Sequence, residues 1–160
     1  MEGTLPPPRT PEDNDLARIC AALNAEGALY IVVGGMAMTQ HGMLRATEDI
    51  DLLLEASHQN QARVLKALEV LPEKAVREVR GSDLDKYVVV RVADEIVVDL
   101  MLAAGGITYA DAAGEIESRQ LQGVTIPVAS ASLLLRTKQT YRERDVADRL
   151  FLRRKLQQKD

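Results

Sequence analysis

The sequence predicts a mixed α/β (α+β) fold: a small mixed β-sheet flanked by helices, with a helical segment at the C-terminal end. Three observations lead there. Strand-like runs are interleaved with helix-like runs, which indicates helices packed on a sheet. Later strands pair as tight hairpins, which argues against a regular doubly wound parallel sheet. Of 160 residues, 46% are apolar, enough for a real core in a single compact domain. With aromatics at 3%, no Trp and one Phe, that core must be aliphatic.

The elements follow in chain order. Residues 1–9, with Pro6-Pro7-Pro8, read as a short flexible arm, and 10–160 as the domain. Thr10-Pro11-Glu12-Asp13 has an N-cap hydroxyl, Pro at the first helical position and early acids. The helix it starts runs to about Glu26, with Leu16, Ile19, Cys20 and Leu23 on one face and Gly27 as its stop. Leu29 to Val33 is a continuous apolar run, as in a central strand. A short helix spans Gly35 to His41, and an acidic strand spans Asp49 to Leu54. Ser57 caps a third helix that reaches Leu71 and ends before Pro72. Strand-like segments follow at Ala75–Arg80, Lys86–Ala93 and Glu95–Leu102, the last two forming a hairpin that turns at Asp94-Glu95. A second hairpin, Ile116 to Val128, turns at Gln122-Gly123. Ser130 or Ser132 opens the closing helical region of residues 130–160, Leu133 to Lys159, broken near Tyr141.

Composition narrows the function classes. A net charge of -4 and a pI near 5.3 argue against a broad nucleic-acid footprint, which would show as a basic surface. The single Cys20 falls in an apolar helical pattern, as a buried thiol in a reducing compartment does. No apolar run reaches membrane-spanning length and no signal pattern opens the chain, so a cytoplasmic protein without membrane contact is expected.

The chemistry concentrates in Val33-Gly34-Gly35-Met36-Ala37 and Arg45-Ala46-Thr47-Glu48-Asp49-Ile50-Asp51. In a strand, residues i and i+2 share a face, so the Asp49 and Asp51 carboxylates converge. Such a pair favours a divalent cation between them, and Mg²⁺, which takes substrate phosphate oxygens, suits it. The glycine turn offers bare backbone N–H groups at a helix start, where phosphate binds readily. Phosphate grip and metal grip together suggest a nucleotide enzyme. Asp99 lies in the apolar strand Ile96 to Met101, where a carboxylate is costly unless paired or metal-bound.

On these residues the chain resembles the nucleotidyltransferase superfamily related to DNA polymerase beta. Gly34-Gly35, the Asp49/Asp51 pair and Asp99 match its pattern in order. The string His41-Gly42-x-x-Arg45-x-Thr47-x-Asp49-Ile50-Asp51-Leu52 and the tail with Lys138, Arg144-Asp145 and Asp148 are similar to the branch of abortive-infection-type toxins and small bacterial nucleotidyltransferases. The resemblance covers about Leu29 to Leu156. It implies a nucleotidyltransferase-like fold, an NTP substrate and two Mg²⁺ ions, held by Asp49, Asp51 and Asp99, with Asp99 also the base. It implies nucleotide binding by Gly34, Gly35, Arg45, Thr47 and Lys138. Gly35 departs from the pattern, because many members carry Ser there. The acceptor is left open among tRNA, protein and a small molecule, and a toxin–antitoxin partner is among the expectations. The alternative is an inactive nucleotide- or partner-binding module of the same fold.

Several residues keep two readings. Asp99 either binds metal or pairs with Arg45 or Lys86. Arg45 meets triphosphate or Glu48. Lys138 faces the phosphates or is a surface charge on an amphipathic helix. His41 is structural. Arg144, Asp145 and Asp148 are read as ion-pair and packing residues that fix the closing segment.

Overall fold

The computed structural model describes residues 5–139 and 143–158. Tyr141, where the helical break is expected, and Lys159, the expected helix end, lie outside them. The first helix, α1 (Asp13–Ala25), starts later than Thr10-Pro11 suggests. Glu12 is its N-cap, and Asp15 closes a capping box on it. Arg9 explains the shift: its guanidinium donates to both Asp15 oxygens at 2.8 and 2.7 Å, and its N–H donates to the Glu95 carbonyl. Strand β1 (Tyr30–Val33) runs directly into α2 (Gly34–Gln40), and β2 (Asp49–Leu54) has the expected bounds. Ser57 caps α3 (His58–Ala67) by accepting from the Asn60 N–H, and a 3₁₀ turn at Leu68–Val70 extends it.

The expected strand at Ala75–Arg80 does not form. Ala75–Glu78 is a 3₁₀ turn entered through Lys74 in the left-handed region (φ 56°). The buried Asp94 carboxylate causes this turn. It accepts from the N–H groups of Glu73, Ala75 and Glu95, taking them away from any ladder. After α4 (Asp83–Lys86), a short helix absent from the sequence reading, the chain forms β3 (Val90–Ala93) and β4 (Val97–Met101). Strands β5 (Ala103–Ala104) and β6 (Ile107–Thr108) and helix α5 (Tyr109–Ala112) are further short elements that periodicity did not signal. The second hairpin is β7 (Ile116–Leu121) and β8 (Val124–Ala129). Gln122 and Gly123 both have positive φ at its turn, which matches the strand twist. Ser130 caps α6 (Ala131–Thr137), and α7 (Glu143–Gln157) follows.

Six strands form one mixed sheet in the order β3-β4-β2-β1-β8-β7. The β1/β2, β3/β4 and β7/β8 pairs are antiparallel, whereas β2/β4 and β1/β8 are parallel. Strand β1 is interior and every residue of it is buried, as its unbroken apolar run requires. The core is aliphatic and includes Cys20. No helix among the described residues is long and apolar enough to cross a membrane. Parallel pairing of β2 with β4 matters most for function, because it puts Asp51 beside Asp99.

Candidate active site

The acidic strand alternates: Ile50 and Leu52 are fully buried, while Asp49 and Asp51 share the opposite, partly open face. Register adds Asp99 from β4 to that face. Ligand oxygens of Asp49, Asp51 and Asp99 all lie within 4.8 Å of one another. Like charges this close resist ionising together. Burial pushes the Asp51 carboxyl up to about 7, and the Asp49 and Asp99 carboxylates add to the shift. Asp49 is raised by burial and then by Asp99. Three hard oxygen donors gathered at one point suit a divalent cation, so the residues present fit the Mg²⁺ that the superfamily resemblance implies.

The Gly34 turn fixes the other side of this cluster. Gly34 has φ +67°, and a Cβ there would lie 2.0 Å from Asp51 Oδ2. Only glycine permits both the backbone conformation and the approach of the turn to the carboxylate. Gly35 has a different constraint: a Cβ would sit 2.6 Å from the Thr47 methyl and 3.2 Å from its Cβ. The space that a serine side chain would need is therefore taken by Thr47. The Thr47 hydroxyl is turned to the Met36 sulfur at 3.1 Å.

A cleft of about 510 Å³ joins these groups. All eight residues singled out in the sequence line it: Gly34, Gly35, Arg45, Thr47, Asp49, Asp51, Asp99 and Lys138. Lys138 is buried, not a surface charge, at the point where α6 ends. Its ammonium lies 3.2 Å from Asp148 Oδ2 and 3.7 Å from Asp145 Oδ1, and its charge opposes the upward shift of Asp51. Arg45 pairs with Asp148 in place of Glu48. Asp145 and Asp148, both fully buried on α7, thus hold two cleft cations at once. Arg144 lines the same cleft. His41 is structural: its Nε2 meets the Ala129 carbonyl at 2.8 Å, and burial lowers its pKa.

One site residue was missed. Asp99 pairs with neither Arg45 nor Lys86 but with Arg91, directly opposite it on β3. Arg91 Nε and Nη2 donate to the two Asp99 oxygens, each at 2.9 Å, and Nη2 reaches Asp49 Oδ2 at 3.3 Å. The signal was in the β3–β4 hairpin. A turn at Asp94-Glu95 puts Val90 opposite Asp99, whereas the Asp94 N–H donating to the Ile96 carbonyl centres the turn on Glu95 and brings in Arg91.

Comparison with known proteins bears on the family and the fold. The sequence profile of the aminoglycoside-2''-adenylyltransferase family matches residues 15–152. A candidate nucleotidyltransferase from Thermotoga maritima, known from its crystal structure, superposes with a TM-score of 0.57. The alignment covers 92% of each chain at 18% identity, so the likeness is one of fold. Comparison with curated proteins gave no match.

Proposed function

The chain belongs to the aminoglycoside-2''-adenylyltransferase family and is a nucleotidyltransferase, and from that premise we propose that it moves a nucleoside monophosphate from an NTP to a hydroxyl, releasing pyrophosphate. The observation that carries the proposal is the convergence of Asp49, Asp51 and Asp99 at one side of a cleft that also holds a glycine turn and a buried lysine.

Each residue then has a part. Asp49 and Asp51 would hold Mg²⁺, and Asp99 would complete a site for two ions. When bound, Mg²⁺ neutralises the triphosphate and eases ionisation of the acceptor hydroxyl. The N–H groups of Gly34 and Gly35 face the β- and γ-phosphates, with no serine hydroxyl to assist. Lys138 and Arg45 offset phosphate charge from the cleft wall, held in place by Asp148. Thr47 packs against Gly35 and lines the nucleotide cleft. Asp99, on the β3 side away from Gly34, receives the acceptor proton. Pyrophosphate leaves toward Gly34 and Lys138, opposite to the attacking oxygen, as an in-line displacement requires.

The family name favours adenylyl as the group moved and a small hydroxyl-bearing acceptor of the aminoglycoside class. The acidic composition points the same way, away from a large RNA held by charge. The toxin role draws support only from the motif string. In the same reading 10–160 act as one domain, 130–160 close the nucleotide end, and use of NTP fits a cytoplasmic location. A second reading, nucleotide binding without transfer, is favoured by one observation: both Asp99 oxygens are already engaged by Arg91.

Radiolabelled ATP tests this directly, with Mg²⁺ and a panel of aminoglycosides, followed by product separation. Label is expected on an acceptor, together with pyrophosphate, and Asp51→Asn abolishes both. Transfer that survives Asp51→Asn would sink the metal assignment. Mg²⁺-dependent ATP binding with no transfer to any acceptor would favour the second reading.

A further inference from the structure

Arg91 has no part in the proposed transfer, yet its guanidinium is in direct contact with the acidic cluster. It reaches the cluster from the sheet edge, where β3 pairs only with β4. The side chain is 60% exposed, against 7% for Asp99. One guanidinium therefore bridges a buried acid and a partly open one, through a bidentate fork to Asp99 and a longer contact to Asp49. These are two of the three carboxylates assigned to metal. Asp51 is outside the bridge.

Resting on the metal-site reading above, we propose that Arg91 is a positioning residue that latches Asp99, standing in for a cation when none is bound. Arg91 brings positive charge to these carboxylates in a rigid fork that fits both oxygens of Asp99. Divalent cation and guanidinium then compete for the same oxygens. A first ion seated on Asp49 and Asp51 displaces only the long 3.3 Å contact. An ion that draws on Asp99 must break the bidentate pair, so this position fills last. The exposure of Arg91 gives the released guanidinium a path into water. The latch thus keeps Asp99 aligned while delaying its use, and the engaged Asp99 is a resting state of an active enzyme.

Mn²⁺ titration followed by electron paramagnetic resonance reads this without turnover. The proteins are wild type, Arg91→Ala, Arg91→Lys and Asp51→Asn, each checked by its melting curve. Removing the competing cation is expected to tighten Mn²⁺ binding about three- to tenfold in Arg91→Ala. Arg91→Lys, which keeps the charge but loses the fork, is expected to fall between Arg91→Ala and wild type. A purely structural arginine would lower the melting temperature without raising metal affinity. Mn²⁺ binding to wild type that Arg91→Ala leaves unchanged or weakens overturns the latch and leaves the metal site standing. No binding to either protein overturns both. If Arg91→Ala does not fold, equal Mn²⁺ affinity in Arg91→Lys and wild type overturns the latch.

Discussion

Gly34 carries the sharpest constraint at the scale of single residues. Alanine there meets both a left-handed backbone and the Asp51 carboxylate. We expect Gly34→Ala to cost about 1–3 kcal/mol in urea unfolding and to weaken Mn²⁺ binding as well. Full stability with intact binding would contradict the packing described. Asp51 gives a pH prediction. Its carboxyl holds a proton to about 7 in the folded protein, against 3.8 as an ordinary value. The folded state therefore binds more protons across that window, and the stability this group contributes is present at low pH and lost as pH rises through 7. In EDTA, wild type should lose more stability between pH 5.5 and pH 8 than Asp51→Asn does. Equal losses would show that the Asp51 carboxyl is not raised in the folded protein. These residues were legible in the sequence because a Gly-Gly turn and an Asp-x-Asp strand are local patterns. The conflict between a serine at position 35 and Thr47 was not, since it joins positions twelve apart whose contact only the fold creates.

The same contrast holds among elements. Strand β2 and the β7–β8 hairpin follow from alternation and turn chemistry, both short-range. The segment Ala75–Arg80 has the local pattern of a strand, but its conformation is set by Asp94, a carboxylate from another part of the chain. Arg91 was missed for want of one residue of register, which decides the face and partner of every side chain in a hairpin. The junction of α6 and α7 depends on Asp148, which meets both Arg45 and Lys138. Asp148→Ala leaves two largely buried cations without that partner and is expected to cost roughly 3–5 kcal/mol, with loss of nucleotide affinity. A change within 0.5 kcal/mol by urea denaturation would mean that Asp148 is dispensable to the junction.

Across the whole molecule, parallel pairing of β2 with β4 and the direct passage from β1 into α2 bring three acids and a glycine turn to one cleft. The order of motifs along the chain anticipated this convergence, and strand pairing accomplishes it. Function at this cleft requires that nucleotide bind through a metal held by these acids. The most direct measurement is the melting temperature with ATP, with and without Mg²⁺, for wild type and Asp51→Asn. A ligand bound only by the native state adds roughly 2.7 kcal/mol at a hundredfold excess over its dissociation constant, well within reach of a melting curve. The expected shift needs both ATP and Mg²⁺ and disappears in Asp51→Asn. An equal shift without Mg²⁺, or one that Asp51→Asn retains, would contradict it.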